Sequence, residues 1–565
     1  MNVQASQSFP ARFRVVFAFL LVLALSLAPA RAATAPADLA AYADRLLAAA
    51  YPADQPGAAV LVMKDGQVVL RKGYGMANLE LGVPVSPDMV FEIGSVTKQF
   101  TAAAILMLEE QGKLRLADEV TKYLPDYPTH GEKITIEHLL THTSGIPSYT
   151  GLPEWFSRIR EDLKVEDVIA LFKDKPLEFK PGEQWRYNNS AYILLGAVIE
   201  KASGKSYERF VEEEIFQKLG MTHSRYGHHE EVIPRRAAGY TRDENGFRHA
   251  NYVSMTQPYS AGSLMSTVDD LAIWDRALAG ETLLKKASLE RMFTPARLSS
   301  GRSTRYGYGL GVYELEGRRV LEHGGGIFGY TSFLLRVPEE GLFVAILSNS
   351  DSPETSPDSL ALRIAAKALG KPLEERTPVT LDDKKLDEYV GVYRFDEQTT
   401  RTITREGPKL FSQRSGGSRQ EILATARDEF FFKDGDARLH FRRDAQGRVT
   451  GADFTPRSGP EESGTKTTDP LPQERKAIRL DPALYDALAG EYELRPGFVL
   501  TITREGDKIF AQATGQPKLE IFPESETRFF LKEVDAQLEF VRGEGGQVTG
   551  LKLHQGGRVM EAKRK

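Results

Sequence analysis

The pattern of apolar and polar positions changes character once along the chain, near residue 375. Before that point helical and strand periods mix. After it the pattern is almost entirely strand-like.

In the front portion, the span 38–50 carries apolar residues at helical spacing and predicts a helix. Two apolar runs, 58–63 and 67–72, flank the turn residues Lys64-Asp65-Gly66 and predict a hairpin. Near the far end, 331–337 and 342–349 form a second strand pair, joined by Pro338-Glu339-Glu340-Gly341. A helix over 356–369 then stops at Gly370. The first and last strands of this region are expected side by side in one antiparallel sheet, with helices packed on it.

The back portion repeats itself at an offset of 99 residues. Thr402-Ile403-Thr404-Arg405-Glu406-Gly407 recurs as Thr501-Ile502-Thr503-Arg504-Glu505-Gly506. Gly391 matches Gly490, Tyr393 matches Tyr492, and Phe430-Phe431-Phe432-Lys433 matches Phe529-Phe530-Leu531-Lys532. Short alternating segments punctuated by Gly and Asp predict a small antiparallel barrel in each copy, with the clustered phenylalanines as core. The expected division is a leader over 1–32, a front domain over 33–375, one barrel over 376–457, a polar linker over 458–476 and a second barrel over 477–565.

Composition narrows the function classes. Hydrophobic residues make up 41% and charged residues 27% of the 565, as in a folded globular protein. The formal charge of −5 comes from dispersed acids and bases, without the basic stripe that a nucleic-acid partner requires. Arg12 and Arg14 precede an uncharged apolar run over 15–28 and then Ala30-Arg31-Ala32. This pattern predicts an export signal cut after Ala32, hence a periplasmic or secreted protein with no lasting membrane span. The run is short of the ~20 residues that cross a bilayer. The chain has no cysteine, so a covalent nucleophile must be Ser, Thr, Lys or a carboxylate.

Three segments carry candidate chemistry. Ser95-Val96-Thr97-Lys98 opens an apolar helical run that ends at Gly112. The i,i+3 spacing sets both side chains on one face at a helix N-terminus. A serine hydroxyl needs a nearby base, and a lysine serves only if burial and the positive helix end depress its pKa. Trp185-Arg186-Tyr187-Asn188-Asn189-Ser190 precedes a second helical run, and Tyr187 and Asn189 are expected to face one cavity. A tyrosine hydroxyl there would relay protons. Glu322-His323-Gly324-Gly325-Gly326 leads into a strand, where glycines admit a substrate against the backbone and free an N–H for an oxyanion. His138 and His142 have the spacing of a zinc helix but lack its glutamate, and are read as structural.

Together with Ile134–Ile146 and Ala261–Thr267, these segments resemble the serine β-lactamase and penicillin-binding-protein superfamily. The likeness covers roughly residues 40 to 370 and is greatest to the branch holding class C β-lactamases, D-alanyl-D-alanine carboxypeptidases, D-aminopeptidases and related esterases. It implies an α+β catalytic domain, an antiparallel sheet flanked by helices plus a helical subdomain, followed here by two lipocalin-like barrels. It implies Ser95 as nucleophile, Lys98 as general base or its partner, and Tyr187 as second proton carrier. Asn189 would contact a substrate amide, His323 would shape the site, and the N–H groups of Ser95 and Gly326 would hold the oxyanion. Gly324, Gly325 and Gly326 would border the substrate. Class C enzymes carry Lys-Thr-Gly where this chain has His323-Gly324-Gly325. That exchange favours aminopeptidase or esterase chemistry over β-lactam hydrolysis, because a fixed positive charge is lost.

The resulting expectation is an exported serine hydrolase acting on a small amide or ester, such as a peptide with a D-residue. The alternatives are an esterase of the same family and a non-catalytic protein that binds cell-wall fragments. No metal or organic cofactor is implied. The partner is a small-molecule or peptide substrate, and an oligomer is neither required nor excluded.

Overall fold

The computed structural model describes residues 36–565, except 244–245, 372–377, 397–398, 416–418, 434–436, 457–459, 472–476, 496–497, 515–517, 533–535 and 556–557. The expected leader over 1–32 and the start of the first barrel domain at 376 therefore lie outside the described residues.

A six-stranded antiparallel sheet organises the front domain. Its strands are β1 (Ala58–Lys64), β2 (Gln67–Tyr74), β3 (Gly311–Leu315), β4 (Arg318–Ile327), β5 (Tyr330–Val337) and β6 (Leu342–Ser348). The spatial order is β3-β4-β5-β6-β1-β2. The expected meeting of first and last strands is present, running from Ala58 opposite Ser348 to Lys64 opposite Leu342.

The period of two sorts side chains onto two faces. Val60, Val62, Val344 and Ile346 point to one face, where helices α1 (Pro36–Ala50) and α6 (Pro357–Ala368) cover them with Leu39, Leu47, Leu360 and Ile364. Ala59, Leu61, Ala345 and Leu347 point to the other face and the larger core. Helices α2 (Thr97–Glu110), α3 (Asn189–Ser203), α4 (Val268–Ala279) and α5 (Lys286–Met292) contribute to that core. Because both faces are covered, β1 and β6 read as unbroken apolar runs, whereas edge strand β2 is largely exposed.

The back portion forms two closed eight-stranded antiparallel barrels. The internal repeat is visible in the bonds. Tyr393 donates to the Tyr389 carbonyl at 2.7 Å, and Tyr492 donates to the Leu488 carbonyl at 2.6 Å. Arg405 bonds Asp387, and Arg504 bonds Asp486.

Two expectations are corrected. The polar stretch at 458–476 is not wholly a linker. Glu462–Lys466 is the eighth strand, pairing with Val449–Thr455 and with Gly391–Arg394. Without it the barrel would keep an open edge. Its Ser463 and Thr465 face outward, which is why the segment reads as polar. The phenylalanine clusters also divide by strand alternation. Phe430, Phe432 and Phe529 fill the barrel cores, whereas Phe431 and Phe530 are buried outside those clusters.

Candidate active site

Ser95 sits in a 3₁₀ turn, Gly94–Val96, that runs directly into α2. The turn lies against the glycine run of β4. A Cβ on Gly325 would stand 2.0 Å from the Ile93 carbonyl oxygen and 2.3 Å from Ser332 Oγ. Gly94 has φ +49°, and a Cβ there would meet the Gly326 nitrogen at 2.9 Å. Only glycine permits this approach of two backbones.

Lys98 is fully buried one turn after Ser95. Its Nζ lies 3.1 Å from Ser95 Oγ and donates to Asn189 Oδ1 at 2.9 Å and the Ala261 carbonyl at 2.9 Å. Burial holds its pKa well below the ordinary lysine value. In the neutral amine, two N–H groups satisfy Asn189 and Ala261, and the lone pair faces the Ser95 hydroxyl.

Asn189 is held on both sides. Its Oδ1 accepts from Lys98, and its Nδ2 donates to Thr150 Oγ1 at 3.0 Å. Asn188 caps α3 by accepting from the Ala191 N–H at 2.7 Å. Tyr187 therefore belongs to the loop entering α3, whereas Asn189 is its first helical residue.

The Tyr187 ring lies 4.9 Å from Lys98 Nζ. Burial pushes its hydroxyl well above the usual tyrosine range, and the Ser95 hydroxyl opposes that shift. Tyr187 is thus a neutral phenol at pH 7. His323 Nδ1 donates to the Gly324 carbonyl at 2.6 Å, because a carbonyl can only accept. His323 Nε2 is 2.8 Å from the Tyr306 hydroxyl.

The expectation that Tyr187 and Asn189 share one cavity is modified. Two cavities meet at Ser95. One, of about 410 Å³, is lined by Tyr187, Trp185, Tyr306, His323, Gly324 and Gly325. The other, of about 450 Å³, is lined by Asn189, Tyr149, Trp155, Pro258, Gly326 and Phe328. Lys98 bridges the division, bonded to Asn189 and stacked on Tyr187. Among the described lining residues of both cavities, the carboxylates are Glu322, Asp351 and Asp358, and none is Lys or Arg.

Three contributors were given no role from sequence. Tyr306 partners His323, Thr150 orients Asn189, and Ala261 supplies a carbonyl to Lys98. Tyr306 lies in a Tyr-Gly-Tyr-Gly stretch, the one local signal that marked it. The helix bearing His138 ends at Leu140, and His142 follows with φ +60°. Each imidazole accepts a backbone N–H, His138 from Thr135 at 3.3 Å and His142 from Asn188 at 3.1 Å. The His142 ring packs 4.5 Å from that of Tyr187.

The sheet, the buried lysine one turn after a serine and the glycine strand beside them define a penicillin-binding-protein-like serine hydrolase fold. Residues 44–369 match the beta-lactamase family, and the chain belongs to it. Residues 375–468 and 474–564 each match a domain of unknown function (DUF3471). Penicillin-binding protein 4* of Bacillus subtilis (strain 168) is 29% identical over 524 residues, covering 89% of this chain and 94% of that protein. The octameric penicillin-binding protein homologue from Pyrococcus abyssi is 29% identical with TM-score 0.54, over 75% of this chain and 99% of that one. A D-stereospecific amidohydrolase from Streptomyces sp. is 28% identical with TM-score 0.50, over 59% of this chain and 99% of that one. Family and relatives together make this protein a serine hydrolase.

Proposed function

We propose that the protein hydrolyses small amides or esters whose acyl part carries an amino group, with D-aminoacyl amides as the leading class. The observation that supports this reading is the charge of the two cavities at Ser95. Their described lining residues include three carboxylates and no Lys or Arg, which suits a cationic or neutral substrate and disfavours a carboxylate. The D-stereospecific amidohydrolase at 28% identity points the same way.

Ser95 Oγ attacks the substrate carbonyl and forms an acyl-enzyme. Neutral Lys98 takes the hydroxyl proton, since its Nζ is within hydrogen-bond reach at 3.1 Å. The backbone N–H groups of Ser95 and Gly326, which border the same cavity, receive the oxyanion. Tyr187, protonated at neutral pH, hands a proton to the leaving group and is restored from Lys98. Asn189 anchors Lys98 and offers its remaining N–H to a substrate carbonyl. His323, held by Tyr306 and its own chain, shapes the wall along Gly324 and Gly325. A water then cleaves the acyl-enzyme. Export after removal of residues 1–32 is part of this reading. No described helix is long and apolar enough to cross a membrane.

The test is intact-protein mass after a fluorophosphonate probe, on wild type and Ser95→Ala, followed by D- and L-aminoacyl amides, short esters and a cephalosporin. One adduct on wild type alone, with preference for aminoacyl substrates, is expected. No adduct on folded wild type would favour the non-catalytic binding protein. Preference for acyl groups bearing a carboxylate would overturn the charge argument.

A further inference from the structure

A third cavity, of about 420 Å³, lies far from Ser95, between the sheet and helices α4 and α5. Strand β5 connects the two places. Thr331 at one end borders the Ser95 cavities, and Arg336 near the other end lines this one. Five residues of strand separate them by roughly 17 Å.

Arg336 is 7% exposed and occupies the floor. Its Nε meets Asp275 Oδ1 at 3.1 Å, and its guanidinium lies 5.6 Å from the Phe293 ring centroid. Its Nη1 is buried with no hydrogen-bond partner. An arginine nitrogen buried without an acceptor carries a substantial desolvation cost. Burial pulls the Arg336 pKa down and pushes the Asp275 carboxyl up, so their mutual attraction does not restore what each lost from water. One more acceptor at Nη1 would complete the site.

The walls favour a negative occupant. Arg276, Lys286 and Arg319 add to Arg336, against Asp275 and Glu290. Between the charges, Leu278, Leu289 and Phe293 form an apolar surface. We propose that this cavity is a second ligand site, taking an organic anion that has one carboxylate and a compact apolar body. The carboxylate accepts from Arg336 Nη1, and the apolar body lies on Leu289 and Phe293. The site is separate from the hydrolytic centre, and its test does not depend on turnover.

The experiment is calorimetric titration of the full chain with octanoate, using octanamide as the neutral match. One octanoate per chain is expected, bound about tenfold or more tightly than octanamide, because a charge-assisted bond is worth more than a neutral one. Arg336→Met should weaken octanoate by at least about tenfold. Should that variant fail to fold, Arg276→Glu with Lys286→Glu alters only the exposed mouth and should weaken octanoate severalfold. Absence of saturable binding to wild type would overturn the proposal. So would equal binding of octanamide, or octanoate binding that survives the mouth variants unchanged, which would place it elsewhere on the chain.

Discussion

At the scale of single residues, the site depends on one buried amine. Lys98 enters the folded state with a depressed pKa, while the unfolded chain keeps the ordinary value near 10.4. Between those two values the unfolded state binds the extra proton, so stability rises with pH across that window and the penalty vanishes above it. Lys98→Met should therefore abolish turnover yet raise the melting temperature at pH 7, with the gain shrinking as pH approaches 10.5. Melting curves at several pH values check this, and a gain independent of pH would contradict the neutral amine. In wild type, kcat/KM should climb with pH as Lys98 deprotonates, with a midpoint well below the ordinary lysine value. Ser95→Ala should remove activity with melting nearly unchanged. Tyr306 acts one step further out, through the 2.8 Å bond to His323. Tyr306→Phe leaves the ring in place and should lower kcat/KM by about tenfold, equal to one buried hydrogen bond. A loss confined to KM would place Tyr306 in substrate binding instead.

At the scale of elements, the site depends on strands brought together from distant parts of the chain. Asn349, just after β6, accepts from the Gly57 N–H at 2.7 Å and donates to the Ala238 carbonyl at 2.8 Å and the Met76 carbonyl at 3.1 Å. One side chain thus ties the start of β1 to a loop and to the far end of the domain. Asn349→Ala leaves those backbone groups unpaired in the interior and should cost about 1–3 kcal/mol of unfolding free energy, read from denaturant midpoints. A cost below ~0.5 kcal/mol would mean that water replaces the bonds.

At the scale of the whole molecule, the first barrel meets the catalytic domain beside its active site. Glu461, immediately before the closing strand of the first barrel, lies 3.8 Å from Arg305, the neighbour of Tyr306. The barrel thereby reaches the loop that holds His323. Removing residues 376–565 should leave the front domain folded, since its two cores lie within it. Its substrate range should widen. An unchanged profile across the amide and ester panel would show that the barrels do not restrict access.

Much of this was legible in the linear chain, because periodicity and local spacing are properties of neighbours. Ser95 and Lys98 lie one helical turn apart, so their shared face follows from α-helix geometry alone. The 99-residue repeat announced two like barrels, and apolar runs beside turn residues predicted β1, β2, β5 and β6. What the linear chain did not determine is set by contacts across long separations. Glu462–Lys466 reads as polar linker because a barrel strand with an outward polar face looks like one until its partners close around it. The roles of Tyr306 and Ala261 could not be read from the linear chain, since they exist only once folding brings a histidine and a lysine against them. The depressed pKa of Lys98 is likewise a tertiary fact. Spacing sets the lysine beside the serine, but only the packed core removes the water that would keep it charged.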